Sequence, residues 1–280
     1  MTGGVRVDDV LAPQPTARFT QQQVAYARAV SAVTVGLIFT DKTGKTDPWC
    51  SATIVHPRVV LTAAHCALIG RDSSRRIAVL FERAASWREA LDVMIHPGVV
   101  MNARAQPHTP ERRSKHSKIL LDVSKDLALI LLHRAIPEGY EVVAPVPRGF
   151  RDSRASTKVI AGYGSTRASR SIGRPSLGFA EMQGNSRLYT GALTGGDEIV
   201  MLSKYANGAR VNACFGDSGG PVFVVEPGRS RLQQLAVTSA ADIDCSEAAI
   251  FAPIDAERAT LHSMFDALMR GEAGAEENPF

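Results

Sequence analysis

Cys214-Phe215-Gly216-Asp217-Ser218-Gly219-Gly220-Pro221 sets a serine between glycines, directly ahead of the apolar run Pro221-Val222-Phe223-Val224-Val225. Glycine on both sides of a serine marks backbone that turns tightly or approaches another group closely. The pattern is not the Gly-x-Ser-x-Gly elbow that joins a strand to a helix. The glycines fall at 216, 219 and 220, and Pro221 would interrupt a following helix. This argues against an intracellular esterase or related hydrolase.

Two upstream stretches carry related chemistry. Leu61-Thr62-Ala63-Ala64-His65-Cys66 places a histidine at the end of an apolar strand. Ser124-Lys125-Asp126-Leu127-Ala128-Leu129-Ile130 places a carboxylate just before another. Taken singly, each has an ordinary explanation: a hydrogen-bonded histidine, a turn aspartate, a glycine turn. Together, in the order His, Asp, Ser, they supply what a serine nucleophile needs. A serine hydroxyl is a weak nucleophile at neutral pH and requires a base within hydrogen-bond reach. His65 is the one imidazole in a suitable local sequence. A carboxylate then fixes its tautomer and stabilises the imidazolium that forms.

Around these stretches the chain has the texture of short strands. Val33–Phe39, Ala52–Val55, Val59–Thr62, Ile77–Phe81, Leu127–Leu132, Lys158–Gly162, Pro221–Val225 and Leu235–Thr238 are β-branched or apolar runs separated by turn residues. Many short strands at modest intervals predict an all-β barrel or sandwich. Residues 255–270 show helical periodicity through Ala259, Leu261, Met264, Phe265, Leu268 and Met269, with Asp255 as cap and Gly271 as stop. Residues 102–118 read as a long basic surface loop, residues 1–20 as a loose leader and residues 271–280 as a flexible tail.

The bulk numbers agree with one globular unit. The chain has 280 residues, 45% of them hydrophobic and 21% charged. A net charge of +4 is too small to indicate a specific nucleic-acid partner. The cations cluster instead, at Arg104, Arg112, Arg113, Lys115 and Lys118, and more loosely at Arg151, Arg154, Lys158, Arg167, Arg170 and Arg174. They read as solvated loops, with a surface that attracts acidic groups as the sharper alternative. No stretch is long and apolar enough for a membrane span, and no secretory signal is visible. Four cysteines, Cys50, Cys66, Cys214 and Cys245, leave three pairings open. None stands in a C-x-x-C spacing, so neither a zinc site nor a redox dithiol is expected. Nothing calls for a cofactor or a metal.

The chain resembles the chymotrypsin-like (trypsin-fold) serine peptidases. The resemblance rests on Thr62-Ala63-Ala64-His65-Cys66, Asp126-Leu127-Ala128-Leu129-Ile130 and Gly216-Asp217-Ser218-Gly219-Gly220-Pro221. His96-Pro97, Gly162-Tyr163-Gly164 and Phe251-Ala252-Pro253-Ile254 add weaker matches. It covers roughly residues 30–265. It implies two six-stranded antiparallel β-barrels with the active site between them, followed by the C-terminal helix. Barrel one would run over about 30–145 and barrel two over about 146–254, within a peptidase domain of 21–270. It implies a catalytic triad of His65, Asp126 and Ser218, an oxyanion hole from the N–H groups of Gly216 and Ser218, and disulfides Cys50–Cys66 and Cys214–Cys245. The function implied is serine endopeptidase, acting through an acyl-enzyme. The alternative is a non-catalytic binding protein on the same fold that uses its basic loops.

The resemblance places a specificity pocket on Asn212, Ser239, Ala241 and Ala249. A Lys/Arg-specific member would carry Asp at 212. Alanine at 241 and 249 stands where open pockets carry glycine, so a small or medium uncharged side chain is expected. Asp242 and Asp244 are the nearest carboxylates in sequence. Ala52 replaces a glycine usual near the first cysteine. Asp217 matches the aspartate that pairs with an α-amino group in the family. Cleavage after Arg18, exposing Phe19, is the expected activation step, with Arg28 and Ala29 as second choice. The expected partners are protein or peptide substrates and protein inhibitors, the expected state is a monomer, and the expected location is secreted or periplasmic.

Overall fold

A computed structural model describes residues 1, 4–13, 19–41, 43, 46–71, 76–99, 123–151, 156–165, 176–182, 187–190, 197–202, 204–206, 209–225, 231–241, 244–245, 248–270 and 278–280. The basic stretch 102–118, Arg18 and Asp242 lie outside the described residues.

The chain opens with strand β1 (Val5–Arg6), a single helical turn α1 (Val7–Val10) and helix α2 (Gln21–Val33). Six strands follow: β2 (Thr34–Thr40), β3 (Thr46–His56), β4 (Val59–Thr62), β5 (Arg76–Phe81), β6 (Ser86–Ile95) and β7 (Ala128–Leu132). They close into a barrel in the order β2-β3-β4-β7-β6-β5, antiparallel throughout. Every residue of β2, β4 and β7 is buried. That explains why these strands read as continuous apolar runs rather than as alternation. Helix α3 (Ala64–Arg71) leaves the end of β4.

The second half carries β8 (Thr157–Gly162), β9 (Gly178–Met182), β10 (Arg187–Thr190) and β11 (Asp197–Leu202), then a small hairpin of β12 (Lys204–Ala206) and β13 (Ala209–Val211). Strands β14 (Pro221–Val225), β15 (Gln233–Ala241) and β16 (Ala248–Pro253) complete it. Six antiparallel strands run in the order β9-β8-β14-β15-β16-β11, with β1 and β10 added at the two edges. The expected all-β architecture of two antiparallel halves and a C-terminal helix is present.

Helix α4 (Arg258–Met269) buries Leu261, Met264, Phe265 and Leu268 in the core of the first barrel, with Phe265 edge-on to His56. It thus straps the end of the chain back across the first half. Asp255 does not cap it. Its carboxylate instead accepts the Gly149 N–H and pairs with Arg258.

Three further features differ from the sequence expectation. Residues 21–33 form a helix, and Val33, read as the start of the strand Val33–Phe39, is its last residue. Thr20 and Gln23 exchange side-chain and backbone hydrogen bonds in a full capping box, and Tyr26, Ala27, Val30 and Val33 pack beneath β8 and β14. Within the leader 1–20, Val5–Arg6 pairs with Gly178–Phe179 at the sheet edge. Lys158, grouped by sequence with a basic surface cluster, is fully buried, and its ammonium donates to the Ser156 carbonyl and hydroxyl.

Candidate active site

His65 lies in the first turn of α3, where β4 ends. Its backbone N–H donates to Asp126 Oδ1 at 2.9 Å, and its Nδ1–H donates to Asp126 Oδ2 at 2.7 Å. Two bonds from one residue to one carboxylate fix both the backbone and the ring. Asp126 is wholly buried between a 3-10 turn at Val123–Lys125 and the start of β7. The imidazole remains 26% exposed. Burial pushes the His65 pKa down, but the Asp126 charge and hydrogen bond outweigh it and leave the group above its ordinary 6.5. Burial likewise pushes the Asp126 carboxyl up. The His65 charge and the hydrogen bonds from His65 and Ser239 reverse that and hold it below 3.8.

Ser239, expected as a wall of the specificity pocket, donates its hydroxyl to Asp126 Oδ2 at 2.5 Å. It sits where the β15–β16 register slips between Thr238 and Ala240. Such a bulge re-aims a side chain, and here the hydroxyl turns towards the carboxylate. A hydrogen bond across 113 positions has no local sequence signature.

The Ser218 turn crosses from the second half onto the first. Gly219 N–H donates to Thr238 O, while Ser51 N–H donates to Ser218 O at 2.8 Å. A Cβ at Gly219, whose φ is +80°, would lie 2.1 Å from Thr62 Oγ1 and 3.1 Å from Ala63 N. The turn therefore packs against Thr62 and Ala63, three and two positions before His65. The Ser218 side chain is part-exposed. No hydrogen bond joins its hydroxyl to His65, whose Nε2 lies 3.5 Å from Cys66 Sγ. Gly216 is buried at φ +91°, a conformation that glycine adopts at no steric cost.

Asp217 is 1% exposed and well supplied with donors. Oδ1 accepts the Gly164 N–H at 2.9 Å, and Oδ2 accepts the Cys214 N–H at 2.9 Å. The Met1 ammonium, 3% exposed, lies 2.7 Å from Oδ2 and also donates to the Ser165 carbonyl. The sequence expectation of a Phe19 amine applies to a chain cleaved after Arg18, and the chain described here is uncleaved. In this structure the amine is that of Met1, carried to Asp217 by the β1–β9 pairing, with the Met1 side chain packed among Val146, Ile160 and Ala180. Phe19 instead packs beside α2.

The pocket residues divide. Asn212 is fully buried and donates its Nδ2–H to the Ala248 carbonyl at 3.2 Å. Ala241 pairs with Ala249 across β15 and β16, and Ala249 is fully buried. Asp244 is exposed. Disulfides join Cys50 to Cys66 and Cys214 to Cys245, spanning 16 and 31 positions. The first staples β3 to the turn that presents His65. The second ties the start of the Ser218 turn to the chain between β15 and β16. Cys50, His65 and Cys66 come close enough to resemble a metal ligand set, but both sulfurs are bonded to each other and lack the thiolate a metal needs.

Comparison with known proteins agrees with this architecture. The family model for trypsin matches residues 21–259. Human transmembrane protease serine 5 is 28% identical over 186 residues, covering 62% of this chain and 36% of that protein. The chain thus spans little more than a third of that relative's length. A family match across most of the chain, on a closed antiparallel barrel joined to a second antiparallel sheet, shows that the chain belongs to the trypsin family of serine proteases.

Proposed function

We propose that this chain is an endopeptidase that cleaves peptide bonds through an acyl-enzyme on Ser218. The observation that carries the reading is the doubly bonded His65–Asp126 pair, with the Ser218 turn packed on the residues leading into it. His65, held as the Nδ1–H tautomer, leaves Nε2 free of a proton and able to take one from the Ser218 hydroxyl. The serine oxygen then attacks the substrate carbonyl, and the imidazolium passes its proton to the leaving amine. The Gly216 and Ser218 N–H groups receive the developing oxyanion, each such donor being worth about 3 kcal/mol in the transition state. The hydrogen bond from the Ser218 hydroxyl to His65 Nε2 is expected to form with substrate in place, since catalytic hydrogen bonds often tighten only then.

The pocket reading follows from burial. A substrate cation entering a closed pocket needs a partner charge. Asn212 is neutral and its amide is already committed to Ala248. Methyl groups at Ala241 and Ala249 narrow the slot. We therefore expect cleavage after small or medium uncharged residues. A peptide library digested by the wild-type chain, with Ser218→Ala as blank, measures this directly. Cleavage confined to bonds after Arg or Lys would overturn the pocket assignment while leaving the peptidase reading intact.

Two disulfides and no free cysteine among the described residues support work in an oxidising compartment. No described helix is long and apolar enough to cross a membrane. The competent state is the one with an α-ammonium on Asp217. A form lacking that amine there is precursor-like and weakly active.

A further inference from the structure

We propose that Ser51 is a positioning residue for the oxyanion-binding turn, acting from the opposite half of the molecule. The inference rests on the reading above, in which the N–H groups of Gly216 and Ser218 meet the substrate oxygen.

Ser51 follows Cys50 on β3, opposite Gly36 of β2, and is fully buried. All four of its hydrogen-bonding positions are used. Its N–H donates to the Ser218 carbonyl at 2.8 Å. Its hydroxyl donates to the Gly216 carbonyl at 2.9 Å and accepts the Tyr163 N–H at 2.8 Å. Its own carbonyl accepts the Thr62 hydroxyl at 2.8 Å. The two residues proposed to supply oxyanion donors are thus both held, through their carbonyls, by one residue of the first barrel.

The hydroxyl has a particular task. Gly216 stands at φ +91°, and glycine costs little to move elsewhere on the map. Its N–H lies in the Phe215–Gly216 peptide, whose carbonyl accepts the Ser165 N–H at 2.8 Å, and the Ser51 hydroxyl restrains the next peptide, Gly216–Asp217, which separates the two proposed donors. The same oxygen receives Tyr163, whose neighbour Gly164 donates to Asp217 Oδ1. Ser51 thereby links the turn to the loop that also holds the Asp217 carboxylate. Removing the hydroxyl leaves a buried carbonyl and a buried N–H without their shared partner. The cheapest relief is rotation of the Gly216–Asp217 peptide, which lies between the two proposed donors and moves them relative to each other. Nothing in this geometry touches the substrate itself.

The test compares Ser51→Ala and Ser51→Gly with the wild-type chain and with Thr53→Val. Thr53 is equally buried on the same strand, and its hydroxyl accepts from Gln234 rather than bonding to a residue of the turn. Losing one oxyanion donor outright costs about 10²- to 10³-fold in turnover, so a loosened donor is expected to cost roughly 10- to 100-fold. The loss should fall on kcat, with KM changed less than about twofold. Affinity for a peptide boronic acid, whose bound oxygen occupies the oxyanion position, should fall by the same factor as kcat/KM. The pH profile set by His65 should stay in place. Thr53→Val should lower Tm with kcat and boronate affinity unchanged. Rates are normalised to the sites titrated by a fluorophosphonate, so partial misfolding does not imitate the effect. Ser51→Gly keeps the test open if Ser51→Ala does not fold. Wild-type kcat and boronate affinity in either folded Ser51 variant would overturn the proposal. A wild-type chain that neither titrates nor cleaves would instead overturn the peptidase reading on which it rests.

Discussion

Asp126 divides its oxygens between two tasks: Oδ1 holds the His65 backbone, and Oδ2 holds the His65 ring and the Ser239 hydroxyl. The consequence is a histidine that keeps its proton to higher pH than a free imidazole, because the carboxylate charge outweighs the cost of burial. A general base must be unprotonated, so kcat/KM should rise with pH along a limb whose midpoint lies above 6.5. Asp126→Asn removes the charge and the correct tautomer. It should lower kcat by about 10⁴-fold and move the acid limb to lower pH, as a pH-rate series on both proteins will show. For stability the signs are opposite on the two partners of this single interaction. Stabilisation read at His65 is present below 6.5 and lost as pH rises through the raised folded value. Read at Asp126, it is present above 3.8 and lost as pH falls through the lowered one. His65, Asp126, Gly216, Asp217 and Ser218 stand in short local motifs, and that is what singles them out in the sequence. Ser51 and Ser239 were not legible there, because their partners lie 165 and 113 positions away. A β-bulge decides where Ser239 points.

Helix α2 shows how an element escapes a reading by composition. Its last turn, Val30 to Val33, runs directly into Thr34-Val35, so apolar and β-branched residues continue across a helix–strand boundary. The available signal was Thr20-x-x-Gln23, a capping box placed ahead of the run. Thr20→Ala removes the side-chain acceptor for the Gln23 N–H. It should cost about 1 kcal/mol and lower Tm by about 2–4 °C, measurable by thermal denaturation followed by circular dichroism. Activity per folded molecule should not change, since the buried face of α2 joins a core cluster with Val159, Ala161, Phe223 and Val225 that includes none of His65, Asp126 and Ser218. Helix α4, by contrast, was visible from its periodicity alone. Its apolar face meets the first barrel in one piece, and no strand-like run adjoins it.

At the scale of the whole molecule, two halves meet along one seam, crossed by hydrogen bonds from Ser51 to Ser218 and Gly216 and from Ser239 to Asp126. The order of the motifs along the chain made the two-half architecture readable. The path of residues 1–13 was not readable, because β1 is two residues long and its pairing with β9 is a tertiary event. That path delivers the Met1 ammonium to Asp217, both nearly sealed from solvent. Breaking a buried ion pair by removing one partner costs about 3–5 kcal/mol. In a chain that starts at Met1, Nα-acetylation should therefore collapse the Ser218 turn and reduce kcat/KM by at least 100-fold, on the order of 3 kcal/mol. Hydrolysis rates of the acetylated and free-amine proteins decide this. The central claim is that His65 activates Ser218, and covalent labelling by a fluorophosphonate probe with peptide mapping tests it most directly. The wild-type chain should carry the phosphonyl group on Ser218, with labelling lost in Ser218→Ala and slowed by orders of magnitude in His65→Ala. A folded wild-type chain that stays unlabelled, or a Ser218→Ala chain labelled as fast as wild type, would contradict it.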